Sequence, residues 1–185
     1  MTTATLVNGV DTQALGDTIE AVRQNRALGE VTFSMNGQVG GFRLDAETGA
    51  LTQAGEQDAA RAGQFRLSSD EPAALLGSDT AVSPGEYLLQ ALAGCYTVTL
   101  AANAAGMGIE LESYRLHLEI DFDLAGFLGI DPDQAPGAVQ IRARIDLDAP
   151  GASREQLENL VRLVEARSPI RSTLTRGVEV VTELA

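Results

Sequence analysis

Apolar and polar positions along this chain change period several times, and each change marks an element. Between Asp11 and Ala27, Leu15, Ile19 and Val22 recur at helical spacing. Asp11 stands at the capping position and Gly29 follows as a stop, so the segment predicts a helix. From Glu30 to Leu67 the pattern is strand-like but broken. Val31 and Phe33 alternate with polar neighbours, while Gly37, Gly40, Gly41, Gly49, Gly55 and Gly63 punctuate the rest. A meander of short antiparallel strands is expected there, with a loop from Asp70 to Val82.

Ser83-Pro84-Gly85-Glu86 then has the form of a capping box, with serine as cap, proline in the first helical position and glutamate reaching back from the third. The stretch it opens, Tyr87 to Gly106, is almost wholly apolar or small. A helix apolar all round is expected to be buried on most sides and to form the centre of the fold. The period next falls to two. Tyr114, Leu116, Leu118, Ile120 and Phe122 alternate with polar residues, as do Val139, Ile141, Ala143, Ile145 and Leu147. These read as an antiparallel pair joined through Asp123–Gly137, with Arg142 and Arg144 facing Glu119 and Asp121 on the outer side.

Ser153 caps a second long helix with the stripe Leu157, Leu160, Val161 and Val164, ending near Arg167 before Pro169. Ser168-Pro169 starts a further helical turn, and Gly177 releases a last strand, Val178 to Leu184. Segregated strands and helices predict an α+β fold, antiparallel sheets packed on a long buried central helix. With no repeat or linker, the chain reads as a single domain over residues 1–185, residues 1–29 being a helical extension of a core at 30–185.

Composition narrows the partners. The chain has 185 residues, 44% hydrophobic, with 13 basic against 26 acidic residues and a formal charge of −13. All the basic residues are arginine. A chain this acidic repels phosphate backbones, so neither nucleic acid nor an anionic membrane is expected as partner. No apolar run looks long enough to span a bilayer, and the N-terminus lacks a signal pattern, so a soluble, cytoplasmic protein is expected.

The chemistry narrows further with one cysteine, Cys95, and one histidine, His117, the latter on the polar side of a strand. A single cysteine forms no internal disulfide and no Cys-rich zinc site. The acidic cluster Asp121, Asp123, Asp131 and Asp133 lacks the calcium-loop spacing, and neither metal nor organic cofactor is indicated. Free cysteines are commonly small buried hydrophobes. A reactive one needs a helix N-terminus or an arginine beside it. Cys95 lies too deep in its own helix for that helix's dipole, so an arginine is expected, and Arg43, Arg66, Arg167 and Arg171 are the candidates. Glu86, nine residues before Cys95, projects from the opposite side of the helix.

The run Asp70-Glu71-Pro72, Leu76-Gly77, Asp79 and Ser83-Pro84-Gly85-Glu86-Tyr87-Leu88-Leu89-Gln90-Ala91-Leu92-Ala93-Gly94-Cys95 resembles the OsmC/Ohr family of osmotically inducible and organic-hydroperoxide-resistance proteins. Ala101 to Glu112 and Glu165-Ala166-Arg167-Ser168-Pro169-Ile170-Arg171 to Leu174 continue the likeness, so that most of residues 64–184 is covered. The N-terminal helix and the loop Ala125–Pro132 resemble a longer subgroup. The resemblance implies an intertwined homodimer, with a site at the subunit interface where two cysteines reduce hydroperoxides. The first cysteine becomes a sulfenic acid and the second resolves it. Cys95 matches the first, Ser168 stands in place of the second, and Gly85 in place of the catalytic glutamate. Arg43 matches the catalytic arginine of the early strands.

A hydroxyl cannot resolve a sulfenic acid. The resemblance therefore implies a single-cysteine, peroxiredoxin-like reductase using Cys95 and an external thiol. The alternative is a non-catalytic dimer that binds a small apolar or lipid-like ligand, with Cys95 as a buried structural thiol. Tyr87, Tyr96, Phe127, Leu128 and Ile130 line the expected substrate or ligand pocket in either case.

Overall fold

A computed structural model describes residues 6–184. The chain divides into two compact units, one running up to Thr12 and again from Leu88 onward, the other Gln13–Tyr87.

The first unit opens with a two-strand hairpin, β1 (Leu6–Val7) and β2 (Val10–Asp11), paired antiparallel. Its turn is Asn8-Gly9, both at positive φ (54° and 75°), the backbone that two-residue hairpins demand and that Asn-Gly supplies. Asn8 also ties the hairpin down, donating from Nδ2 to the Ile109 carbonyl and accepting from the Leu111 amide, each at 2.8 Å.

In the second unit α1 (Thr12–Gln24) continues into a short 3₁₀ turn, Arg26–Gly29. The expected meander follows as two three-stranded antiparallel sheets. β3 (Val31–Thr32), β6 (Leu51–Gln53) and β7 (Glu56–Asp58) make one. β4 (Met35–Gly40), β5 (Arg43–Thr48) and β8 (Arg66–Ser69) make the other. The loop after β8 winds around the carboxylate of Asp70, which is 2% exposed. It accepts from the amides of Glu71, Ser78 and Thr80 and from the Thr80 hydroxyl. Gly77 is required in this loop, because a Cβ there would run into the Glu71 carbonyl. The capping box forms as read, Ser83 N–H donating to Glu86 Oε2 (2.9 Å) and Glu86 N–H to Ser83 Oγ (3.2 Å).

The helix thus opened, α2 (Pro84–Gly106), is the longest element. By length and mean hydropathy, 1.3, it is apolar enough to cross a bilayer, contrary to the reading of the sequence, and the core helix of a folded domain passes the same test. Its buried residues form a stripe, Leu92, Tyr96, Thr99, Leu100, Ala104 and Ala105, whereas Val98 is 70% exposed. The helix is therefore buried along one side of this chain rather than on most sides.

β9 (Ser113–Phe122) and β10 (Ala138–Asp148) form the expected antiparallel pair, with the short helix α3 (Leu124–Phe127) between them. Their inward residues, Leu116, Leu118, Ile141 and Ile145 among them, pack against the core made by α2 and α4 (Arg154–Arg167), where Leu160 and Val164 are fully buried. On the outer side Arg142 donates to both Glu119 and Asp121 (3.0 Å from Nε and Nη2). Arg144 departs from expectation. The register sets it opposite His117, and its Nε donates to Asp146 at 3.4 Å.

Ser153 and Gln156 close a second capping box on α4, and α5 (Pro169–Arg176) follows after a single residue. Beyond Gly177 the expected last strand is not formed. Residues 177–184 carry no strand assignment, and Val178, Val180 and Val181 stand exposed. Alternation makes a segment fit for a sheet, but a strand exists only where a second strand completes its hydrogen bonds.

Candidate functional site

α2 places Cys95 one residue before Tyr96, which is 7% exposed in the core with Leu92 and Leu100. Those neighbours, four residues apart, anchor the helix and fix the direction of the cysteine between them. Cys95 itself is only partly buried.

The end of α4 brings the second half of the site. Leu160 and Val164 hold α4 to the same core as α2, and the chain then turns sharply at Ser168. This residue closes one helix and opens the next. Its N–H donates to the Val164 carbonyl (3.0 Å), while its Oγ accepts from the Arg171 N–H (3.3 Å). Pro169 occupies the first helical position, where no amide is needed. The first-turn amides of a helix have no partner within it. Here one of them, Ile170 N–H, donates to Cys95 Sγ at 3.5 Å, and the Ser168 hydroxyl donates to the same sulfur at 3.1 Å. The sulfur sits at the positive end of α5, where negative charge is favoured.

Backbone and side-chain bonds brace this arrangement. Thr99 Oγ1 donates to the Cys95 carbonyl (2.8 Å), and Asn103 Nδ2 donates to the Thr99 carbonyl (2.6 Å). Arg167 Nη1 donates to Asn103 Oδ1 at 2.7 Å, tying α4 to α2. Arg171 donates to the Glu165 carbonyl (3.1 Å). Burial raises the Tyr96 phenol above its ordinary range, opposed by the positive charge of Arg171 nearby.

Of the residues expected from the sequence, Cys95, Ser168 and Tyr96 come together in this unit. Of the four candidate arginines, Arg167 and Arg171 flank Ser168 here. Besides the candidate arginines, the structure shows a source of positive charge that the sequence reading did not name: a different helix, α5, presents its N-terminus to the sulfur. Ser168-Pro169 is the signal that would have found it, since the amide two residues past a capping serine has no partner in its own helix.

Arg43 belongs to the other unit, and its guanidinium is engaged there. It donates to both carboxylate oxygens of Asp45 (3.0 and 2.7 Å) and to Thr80 Oγ1 (2.9 Å). These bonds raise its pKa and hold the Asp45 carboxyl below its ordinary range. Tyr87 in the same unit donates its hydroxyl to the Ser68 carbonyl at 2.9 Å. Gly85, in the first turn of α2, brings no side chain. Phe127, Leu128 and Ile130 lie on and after α3 and are exposed. Asp123 caps α3 and Asp131 accepts from the Asp133 amide. Among the described residues no group of His, Cys, Asp and Glu is placed to hold a metal ion.

A family model described as OsmC-like protein matches residues 77–183. No curated protein matches the chain. Among solved structures, an OsmC-like protein from Mycoplasma pneumoniae superposes with a TM-score of 0.61 at 17% identity, covering 80% of this chain and 89% of that one. An OsmC-like protein of unknown function from Vibrio cholerae gives 0.60 at 14% identity, covering 78% and 94%. An organic hydroperoxide resistance protein from Legionella pneumophila gives 0.56 at 18% identity, covering 78% and 89%. At such identities the likeness shows a shared fold.

Proposed function

The chain belongs to the OsmC-like family, and on that premise we propose that it is a single-cysteine, thiol-dependent reductase of organic hydroperoxides, acting through Cys95. The observation that carries this reading is the convergence of two donors, the Ser168 hydroxyl and the Ile170 amide, on the Cys95 sulfur. Reactive cysteines sit in electropositive, partly exposed surroundings, whereas inert structural ones are buried among apolar groups. The organic hydroperoxide resistance protein among the fold relatives supports the same substrate class.

The steps balance without a cofactor. The Cys95 thiolate attacks one oxygen of the hydroperoxide. The O–O bond breaks, a proton goes to the leaving alkoxide to give the alcohol, and Cys95 becomes a sulfenic acid. Ser168, standing where a second thiol would resolve it, supplies no electrons. A thiol from solution therefore condenses with the sulfenic acid, releasing water and leaving a mixed disulfide. A second thiol exchanges with that disulfide, restores Cys95 and departs as the oxidised pair.

The exposed Phe127, Leu128 and Ile130 are the groups proposed to meet the apolar part of the hydroperoxide. The protein is further proposed to work in the cytoplasm as a homodimer. In support, Val98 on α2 and Val178, Val180 and Val181 after α5 are large apolar side chains left open in the single chain, and monomers rarely leave extended apolar surface uncovered.

The test is intact mass after brief exposure of the reduced protein to stoichiometric cumene hydroperoxide, with a sulfenate trap and Cys95→Ser as control. Oxidation confined to Cys95 within seconds, reversed by added thiol, is the expected result. A thiol that stays reduced for minutes sinks the reductase reading and leaves the apolar surface as the site of a ligand bound without turnover.

A further inference from the structure

The Ser168 side chain is 1% exposed, and its surroundings fix its single proton. A hydroxyl has one proton to give and lone pairs to accept with. The Arg171 amide, which it caps, occupies its acceptor side at 3.3 Å. The proton is then directed at Cys95 Sγ, 3.1 Å away. The Ile170 amide approaches the same sulfur from the same helical turn at 3.5 Å. Both donors ride on one rigid corner, because Ser168 is at once the last cap of α4 and the first cap of α5.

We propose that Ser168 is a positioning residue for Cys95, its hydroxyl holding the sulfur by a directed hydrogen bond in the orientation from which it reacts. The purpose of this role rests on the thiol chemistry proposed above, while the contact itself does not. In the place where a second thiol would act as reductant, this chain keeps a group of nearly the same size that cannot be oxidised. Its work shifts from closing the catalytic cycle to preparing the nucleophile. Hydrogen bonds that involve a charged partner are roughly twice as strong as neutral ones, so the donor matters most once the thiol has lost its proton.

The experiment follows alkylation of Cys95 by iodoacetamide across pH in the full-length protein and in Ser168→Ala, with folding checked by circular dichroism. Loss of one hydrogen bond to an ionised sulfur is expected to slow alkylation at neutral pH by about tenfold and to displace the pH profile upward. A merely structural serine would move neither in a folded variant, and matching rates and profiles overturn the proposal. Ser168→Cys is the second arm. The contact distance predicts an internal disulfide with Cys95 on treatment with diamide, read as the loss of two hydrogens in intact mass. A variant that keeps two free thiols overturns the contact. Neither arm uses a hydroperoxide, so an unreactive wild type in the cumene hydroperoxide test would fail the proposed function without deciding this one.

Discussion

Cys95 shows how little a side chain's identity says without its neighbours. In sequence it is a small residue in an apolar helix, and the donors that give its sulfur a direction, on Ser168 and Ile170, come from more than seventy residues away. Asp70 is a second residue whose role depends on what closes around it. The Thr80 hydroxyl, and after it the amides of Thr80, Ser78 and Glu71, hold its carboxyl below the ordinary carboxylate range. A depressed pKa contributes stability that is present above the unfolded value, about 3.9, and is lost as pH falls through the folded value. Asp70→Asn is therefore expected to lower the Tm by several degrees at pH 7, with the gap closing below about pH 4. Thermal melts from pH 3 to pH 7 check this, and a gap that stays constant across the range would count against it. In the sequence, Asp70 before Glu71-Pro72 reads only as a turn residue, because its partners, Ser78 and Thr80, are fixed by how the loop folds back.

Among the elements, the helices were the most legible. Ser83-Pro84-Gly85-Glu86 and Ser153 mark helix starts that the structure keeps, because a cap is satisfied within four residues and needs nothing distant. The stripe Leu157, Leu160 and Val164 likewise names the side of α4 that meets the core. Leu160, with no exposed surface, is the most direct test of that packing. Leu160→Ala is expected to cost about 2–5 kcal/mol, measured by urea unfolding with an unchanged slope. Ser83→Ala, which removes one cap, is expected to cost about 1 kcal/mol in the same assay. The strands were less legible. The Asn8-Gly9 hairpin carries a strong local signal, but its two-residue strands are too short to show a period. The segment from Val178 has the period and forms no strand, since pairing depends on a partner that alternation does not supply.

For the whole molecule, the α+β class follows from the order of elements, and the fold relatives agree with it. Apolar side chains left open on α2 and after α5 bear on assembly. In the proposed homodimer the solution mass is expected to be about twice the 19.4 kDa of one chain, measured by light scattering after size exclusion. Val98→Glu, placing a charge on an apolar side chain that is 70% exposed, is expected to shift that mass toward the single chain without unfolding it. A wild type at the single-chain mass would remove the dimer from the proposal.

The sequence by itself determined what short-range chemistry decides: where helices start and which residues of a strand face inward. Each depends on bonds or periods contained within a few residues. Only the tertiary structure decided that α5 aims an unpaired amide and a capped hydroxyl at Cys95, that Arg43 is engaged by Asp45 and Thr80, and that Arg142 rather than Arg144 bridges the acidic pair on β9. Apart from the Arg43–Asp45 pair, those contacts join residues far apart in the chain. The contacts at Cys95 exist because the packing of Leu160 and Val164 against α2 brings the corner at Ser168 to the cysteine, a proximity that no local pattern encodes.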